Sequence, residues 1–125
     1  DGDIAGALSV IGDKPKNDIY YSTGGGPEGV IAAAALSCYG GQIQGRLVLN
    51  EEEKVRAKKL GIKDFNKKYN IEDMVKGDVI FCASGVTPGD LANGVKDLGN
   101  EFEVNTFVLH KSQNIIKSVT NVYNK

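Results

Sequence analysis

Long apolar runs are missing from this sequence. No window reaches the roughly 18 residues of a membrane span, and no charged-then-apolar signal segment opens the chain, so no membrane partner and a cytoplasmic setting are expected. An excess of basic charge is missing too. Fifteen Lys+Arg against 16 Asp+Glu leave a formal charge of -1, which gives no field for a nucleic acid. Cysteine is scarce: Cys38 and Cys82 sit in apolar stretches without C-x-x-C spacing, as expected for buried thiols in a reducing compartment. The one histidine, His110, has no Ser, Cys or acid motif beside it and reads as a surface or edge-strand residue rather than a triad member. The other averages are ordinary, with 41% hydrophobic and 25% charged residues. A folded soluble chain is implied.

What is present is an alternation of helix and strand patterns. Ile4 to Ile11 has apolar residues at helical spacing between an acid and Gly12. Asp18 to Thr23 is β-branched and aromatic and runs into three glycines, as a buried strand before a tight turn would. Val30 to Tyr39 is an Ala-rich helix stopped by Gly40-Gly41, with Pro27 suited to its first turn. Ile43 to Leu49 predicts a strand. Glu51 to Leu60 predicts a helix with acids first, bases last and Gly61 as its stop. After a polar loop over 63–70 come a short helix near Ile71 to Val75 and a strand at Asp78 to Ala83. A second glycine loop, Ser84-Gly85-Val86-Thr87-Pro88-Gly89-Asp90, leads into another short helix, and Phe102–Leu109 and Ile115–Tyr123 predict an antiparallel pair. The pattern implies one α/β domain over 1–125. Its expected form is a layered sandwich with a mixed, mainly parallel sheet flanked by helices and an antiparallel strand pair at the C-terminus. In such sheets ligands sit beyond the strands' carboxyl ends.

Gly24-Gly25-Gly26-Pro27-Glu28-Gly29 is the motif with most chemistry in it. Three glycines let a backbone approach a ligand without Cβ atoms in the way, and a helix N-terminus directly after them adds N–H donors and a positive dipole end. A phosphate suits that place. Gly24-x-Gly26-x-x-Gly29 also fits a dinucleotide fingerprint, with Glu51 near the distance of a ribose-binding acid. Glu28 speaks against a bare pyrophosphate, because its carboxylate would repel it. A divalent cation between the two removes the conflict. Spacing alone leaves a plainer reading open, in which Glu28 only complements the helix dipole.

Asp1-Gly2-Asp3 before a helix, Gly24-Gly25-Gly26-Pro27-Glu28-Gly29-Val30, Ala32-Ala33-Ala34-Ala35-Leu36 and Phe81-Cys82-Ala83-Ser84-Gly85-Val86-Thr87-Pro88-Gly89 together resemble the class II fructose-1,6-bisphosphatases of bacteria. The resemblance runs from the first residue to about Val95 and covers only the second part of that family's chain. It implies hydrolysis of the 1-phosphate of fructose 1,6-bisphosphate to fructose 6-phosphate in gluconeogenesis, with Mn²⁺ or Mg²⁺ required. Carried over by motif, Asp1, Gly2 and Asp3 contact the sugar phosphate, Gly25 offers backbone to it, and Glu28 binds the metal. N-capping of the first helix is the alternative for Asp1 and Asp3. The resemblance also implies partners: fructose 1,6-bisphosphate, the missing N-terminal part of the same protein, and further copies in a homo-oligomer. One carboxylate is too few for a two-metal phosphatase site, so the chain alone is expected to be catalytically silent. A nucleotide-binding module and a non-catalytic assembly domain remain as alternatives. Arg46 is expected to pair with an acid, Thr87 and Asp90 to serve turns or caps, and Glu51-Glu52-Glu53 to form a solvated helix start.

Overall fold

The computed structural model describes residues 2–125. In chain order its elements are α1 (Gly2–Leu8), α2 (Gly26–Cys38), β1 (Gln44–Arg46), α3 (Glu51–Lys59), β2 (Lys68–Asn70), α4 (Ile71–Met74), β3 (Ile80–Ser84), β4 (Lys96–Asp97), β5 (Glu101–His110) and β6 (Ile115–Asn124). β5 is the centre of a four-stranded sheet, with β3 and β4 along one edge and β6 along the other. β1 and β2 form a separate two-stranded ribbon.

Local chemistry accounts for the helices. At the head of α3 the Asn50 side chain accepts from the Glu53 N–H at 2.9 Å and the Glu53 carboxylate accepts from the Asn50 N–H at 2.8 Å, a reciprocal cap that satisfies two otherwise orphaned donors. Arg56, Lys58 and Lys59 occupy its last turn, and Gly61 ends it with φ of 86°, a left-handed conformation that strains residues with a Cβ. Only Ala57 of this helix is buried, so α3 is the solvated helix its charges predict. α2 is the opposite case. Ala32, Ala33, Ala35, Leu36, Ser37 and Cys38 are all buried, because small side chains let the helix lie close to its neighbours.

The core forms where α1 and α2 cover one face of the sheet. Leu8, Ala35, Leu36, Cys38, Val79, Phe81 and Leu109 make one buried cluster, with Ile4, Tyr39, Ile71 and Phe107 packed at its margin. Cross-strand partners share a face, which puts Phe81, Leu109 and Ile116 in one row towards the helices.

The α/β class and the closing antiparallel pair agree with the sequence. The mainly parallel sheet does not: every strand pairing among the described residues is antiparallel. The reason lies in residues 18–23, which form no strand and pair with nothing in the sheet. Ile19 is 81% exposed and Tyr21 92%. Ile43–Leu49 contracts to the short β1, which joins β2 instead of the main sheet. Residues 85–95 make turns and bends rather than the expected short helix. Cys38 is buried as expected, but Cys82 is exposed, because it lies on the face of β3 opposite Phe81.

Candidate functional site

The first glycine loop leads straight into α2. Gly25 is the N-cap, with φ of -69° and ψ of 149°, and no side chain caps the helix. Its carbonyl already accepts from the Gly29 N–H at 3.1 Å. Pro27 has no N–H, so the donors of this helix head belong to Gly26 and Glu28. Glu28, in the first turn, folds its carboxylate back over Gly25 so closely that a Cβ at position 25 would collide with Oε2. Glycine at 25 is thus a cradle for the Glu28 carboxylate. Its hard oxygens suit Mn²⁺ or Mg²⁺, yet among the described residues no three His, Cys, Asp or Glu side chains gather to complete a metal centre.

Asp3 belongs to the same neighbourhood. A Cβ at Gly24 would collide with the Asp3 carboxylate, so the N-terminal turn of α1 and the glycine loop lie against each other. Tyr20 Oη donates to Asp3 Oδ1 at 3.4 Å, and its ring lies on Gly6 of α1, where any side chain would strike it. The fold thus gathers Asp3, Gly24, Gly25 and Glu28. Gly2 starts α1 and makes no close approach that a Cβ would meet. Asp1, expected to contact substrate, lies outside the described residues.

The role of Tyr20 is not evident in the sequence. Its β-branched and aromatic neighbours point to a strand, whereas its ring is received by Gly6, where the absent Cβ leaves it room. Asn105 is likewise absent from the sequence-based candidates. It is a buried polar residue on the core face of β5. Its side chain donates to Ser118 Oγ at 2.7 Å and Thr120 Oγ1 at 3.1 Å, and accepts from the Asn93 N–H at 3.0 Å. The second glycine loop is thereby tied to the sheet, and its glycines bring backbone against backbone. A Cβ at Gly94 would sit 2.7 Å from Pro88 N, and one at Gly85 would strike the Asn93 carbonyl oxygen. The sequence carries little signal for Asn105, because it shares its face of β5 not only with Phe107 and Leu109 but also with Glu101 and Glu103.

His110 meets an acid after all, brought from far along the chain. Its Nε2 lies 2.7 Å from Asp78 Oδ2 and 3.2 Å from Ser112 Oγ, while Ser112 Oγ donates to Asp78 Oδ2 at 2.7 Å. A triad needs acid and serine on opposite ring nitrogens, and here both meet the same one. The cluster is a staple between the approach to β3 and the β5–β6 turn. The hydrogen bonds from Ser112 and His110 hold the Asp78 carboxyl well below the usual carboxylate range.

The remaining candidates are structural. Asp90 pairs with Lys16 at 2.8 Å. Glu51 pairs with Lys54 at 2.7 Å at the exposed head of α3. Arg46 is exposed in β1 and has no ion pair among the described residues, contrary to expectation. No helix is long and apolar enough to cross a membrane among the described residues.

Comparison with known proteins agrees with the motifs. The family described as bacterial fructose-1,6-bisphosphatase, glpX-encoded, matches over residues 1–123. Fructose-1,6-bisphosphatase 2 class 2 of Escherichia coli (strain K12) is 33% identical over 95% of this chain and 42% of its own length. The D-fructose 1,6-bisphosphatase class 2/sedoheptulose 1,7-bisphosphatase of Synechococcus sp. (strain JA-3-3Ab) is 34% identical over 100% of this chain and 40% of its own. The chain therefore spans about two fifths of the length of these curated relatives. With the family matched over nearly every residue, the chain belongs to the glpX-encoded type of bacterial fructose-1,6-bisphosphatase.

Proposed function

We propose that this chain forms one wall of a metal-dependent sugar-bisphosphatase site that removes the 1-phosphate of fructose 1,6-bisphosphate. The observation that carries the reading is the Glu28 carboxylate lying over Gly25 at the head of α2. An acid placed beside the N–H donors of an anion site makes electrostatic sense when a cation lies between it and the phosphate. Glu28 would hold Mn²⁺ or Mg²⁺, which when bound polarises a phosphoryl oxygen and lowers the pKa of a bound water. Gly26, with open space where a Cβ would stand, leaves room for phosphate oxygens, Gly25 offers its backbone, and Asp1, Gly2 and Asp3 contact the sugar phosphate, with Tyr20 orienting Asp3. The other metal ligands come from the portion of the relatives that this chain does not span. A gluconeogenic role, a cytoplasmic setting and a homo-oligomer go with this reading.

The dinucleotide alternative has less support. Its ribose-binding acid, Glu51, is engaged by Lys54, and the strand that should precede the glycine loop is absent among the described residues.

The test is phosphate release by a chimera in which this chain follows the uncovered portion of the Escherichia coli relative. Activity should depend on Mn²⁺, and Glu28→Gln should lower it and shift the Mn²⁺ dependence upward. Unchanged Mn²⁺ dependence removes Glu28 from the metal site. The chain by itself should be silent, and chelator-sensitive turnover by it alone would refute the shared site.

A further inference from the structure

The pairs of the β1–β2 ribbon are Gln44↔Asn70, Gly45↔Tyr69 and Arg46↔Lys68. Alternate residues share a face, so Gln44, Arg46, Lys68 and Asn70 stand together on the exposed side, while Gly45 and Tyr69 turn to the half-buried one. Arg46 is thus set directly opposite Lys68, with Cβ atoms about 5 Å apart. Like charges in that position repel. Lys67, between them and α4, shows how a cation on this ribbon is otherwise accommodated: it holds Asp73 at 2.6 Å and lies 4.9 Å over the Tyr69 ring. Arg46 and Lys68 have neither an acid nor a ring among the described residues.

A local conflict of this kind costs the free chain stability and marks a place where function outweighs folding. We infer that the Arg46–Lys68 rung is a phosphate-binding site that uses none of the residues of the Glu28 loop. A guanidinium fork spans two oxygens of one anion and an ammonium takes a third. A phosphate group offers three oxygens where a carboxylate offers two, and its dianion matches the two positive charges. The Gln44 and Asn70 side chains, joined at 3.4 Å, add amide N–H donors on the next rung. No Asp or Glu stands on this face of the ribbon to repel the anion.

Calorimetric titration of the chain with inorganic phosphate and with fructose 6-phosphate, in chelator and at fixed ionic strength, tests this. Without a cation the Glu28 carboxylate repels phosphate, so the outcome does not depend on the metal site proposed above. Phosphate should bind, and Arg46→Gln or Lys68→Gln should weaken it about ten-fold, the low end for a charge-assisted hydrogen bond. Equal affinity for the two probes assigns the site to free phosphate, and tighter fructose 6-phosphate assigns it to a phosphate monoester. Melted without phosphate, the same variants should gain about 1–4 °C in Tm, because the repulsion is gone. Absence of binding, an affinity indifferent to both variants, or a lowered Tm overturns the inference. So does binding by the chain that vanishes in the chimera, since an acidic group of the uncovered portion then occupies the rung.

Discussion

Gly25→Ala separates the chemistry of the first glycine loop from its stability. The backbone at position 25, φ -69° and ψ 149°, is open to any residue, so alanine introduces no backbone strain. As an N-cap alanine is poorer than glycine, by about 0.5–1 kcal/mol. Against that, replacing glycine narrows the unfolded ensemble and stabilises by about 0.4–1 kcal/mol. The two terms nearly cancel. With an unfolding entropy of about 2.1 cal/mol/K per residue, 1 kcal/mol corresponds to about 4 °C in a chain of this size, so Tm should move by less than about 4 °C. The new methyl group, however, occupies the place of the Glu28 carboxylate, which must rotate away. Changes that misorient a metal ligand typically weaken binding about 10–100-fold. A Mn²⁺ titration of phosphate release in the chimera, beside a thermal melt of the chain, reads both quantities. Unaltered Mn²⁺ dependence would show that the cradle does not position Glu28, and a fall in Tm well beyond about 4 °C would refute the cancellation.

Two further outcomes follow from the core and the hairpin staple. Leu109 is 0% exposed at the centre of the sheet, so Leu109→Ala should lose about 2–5 kcal/mol; denaturant unfolding should show a lower midpoint with an unchanged slope, and a smaller loss would mean that the site collapses around the cavity. Asp78 has a folded-state pKa depressed by Ser112 and His110, so the unfolded chain binds more protons as pH falls below about 4. Its contribution is present above that pH and is lost progressively below it. Asp78→Asn should flatten the fall in Tm measured between about pH 5 and about pH 2.5, and an identical acid profile would exclude the staple.

Some elements are plain in the sequence because their causes are local. The charge order of α3 and the Gly61 stop lie within a dozen residues, and α2 carries its burial in its alanines. The alternation of β5 and β6 is equally legible. Residues 18–23 show the limit, since strand propensity becomes a strand only when a neighbour completes its ladder, and Tyr20 is held by Gly6 and Asp3 instead. Likewise the Asp78–His110 contact joins residues far apart in the chain, and Arg46 lacks, among the described residues, the acid that its place in a strand suggested. At the candidate site, the spacing marks out Glu28 and the glycines as an anion-site motif, whereas the metal-binding role of Glu28 comes from the family resemblance. The closure of Asp3 onto Gly24 required the packing of α1 against the loop.

The backbone contacts at Gly85 and Gly94 give the two glycine loops opposite mutational signatures. In the first loop a methyl group meets the end of a movable side chain, so a substitution can silence chemistry in a chain that still folds. In the second it meets main chain, which has no rotamer to yield. A scan of the chimera scored both for abundance and for turnover would therefore sort the loops cleanly, with losses at 85 and 94 appearing as missing protein and losses at 24 and 25 as intact protein without catalysis.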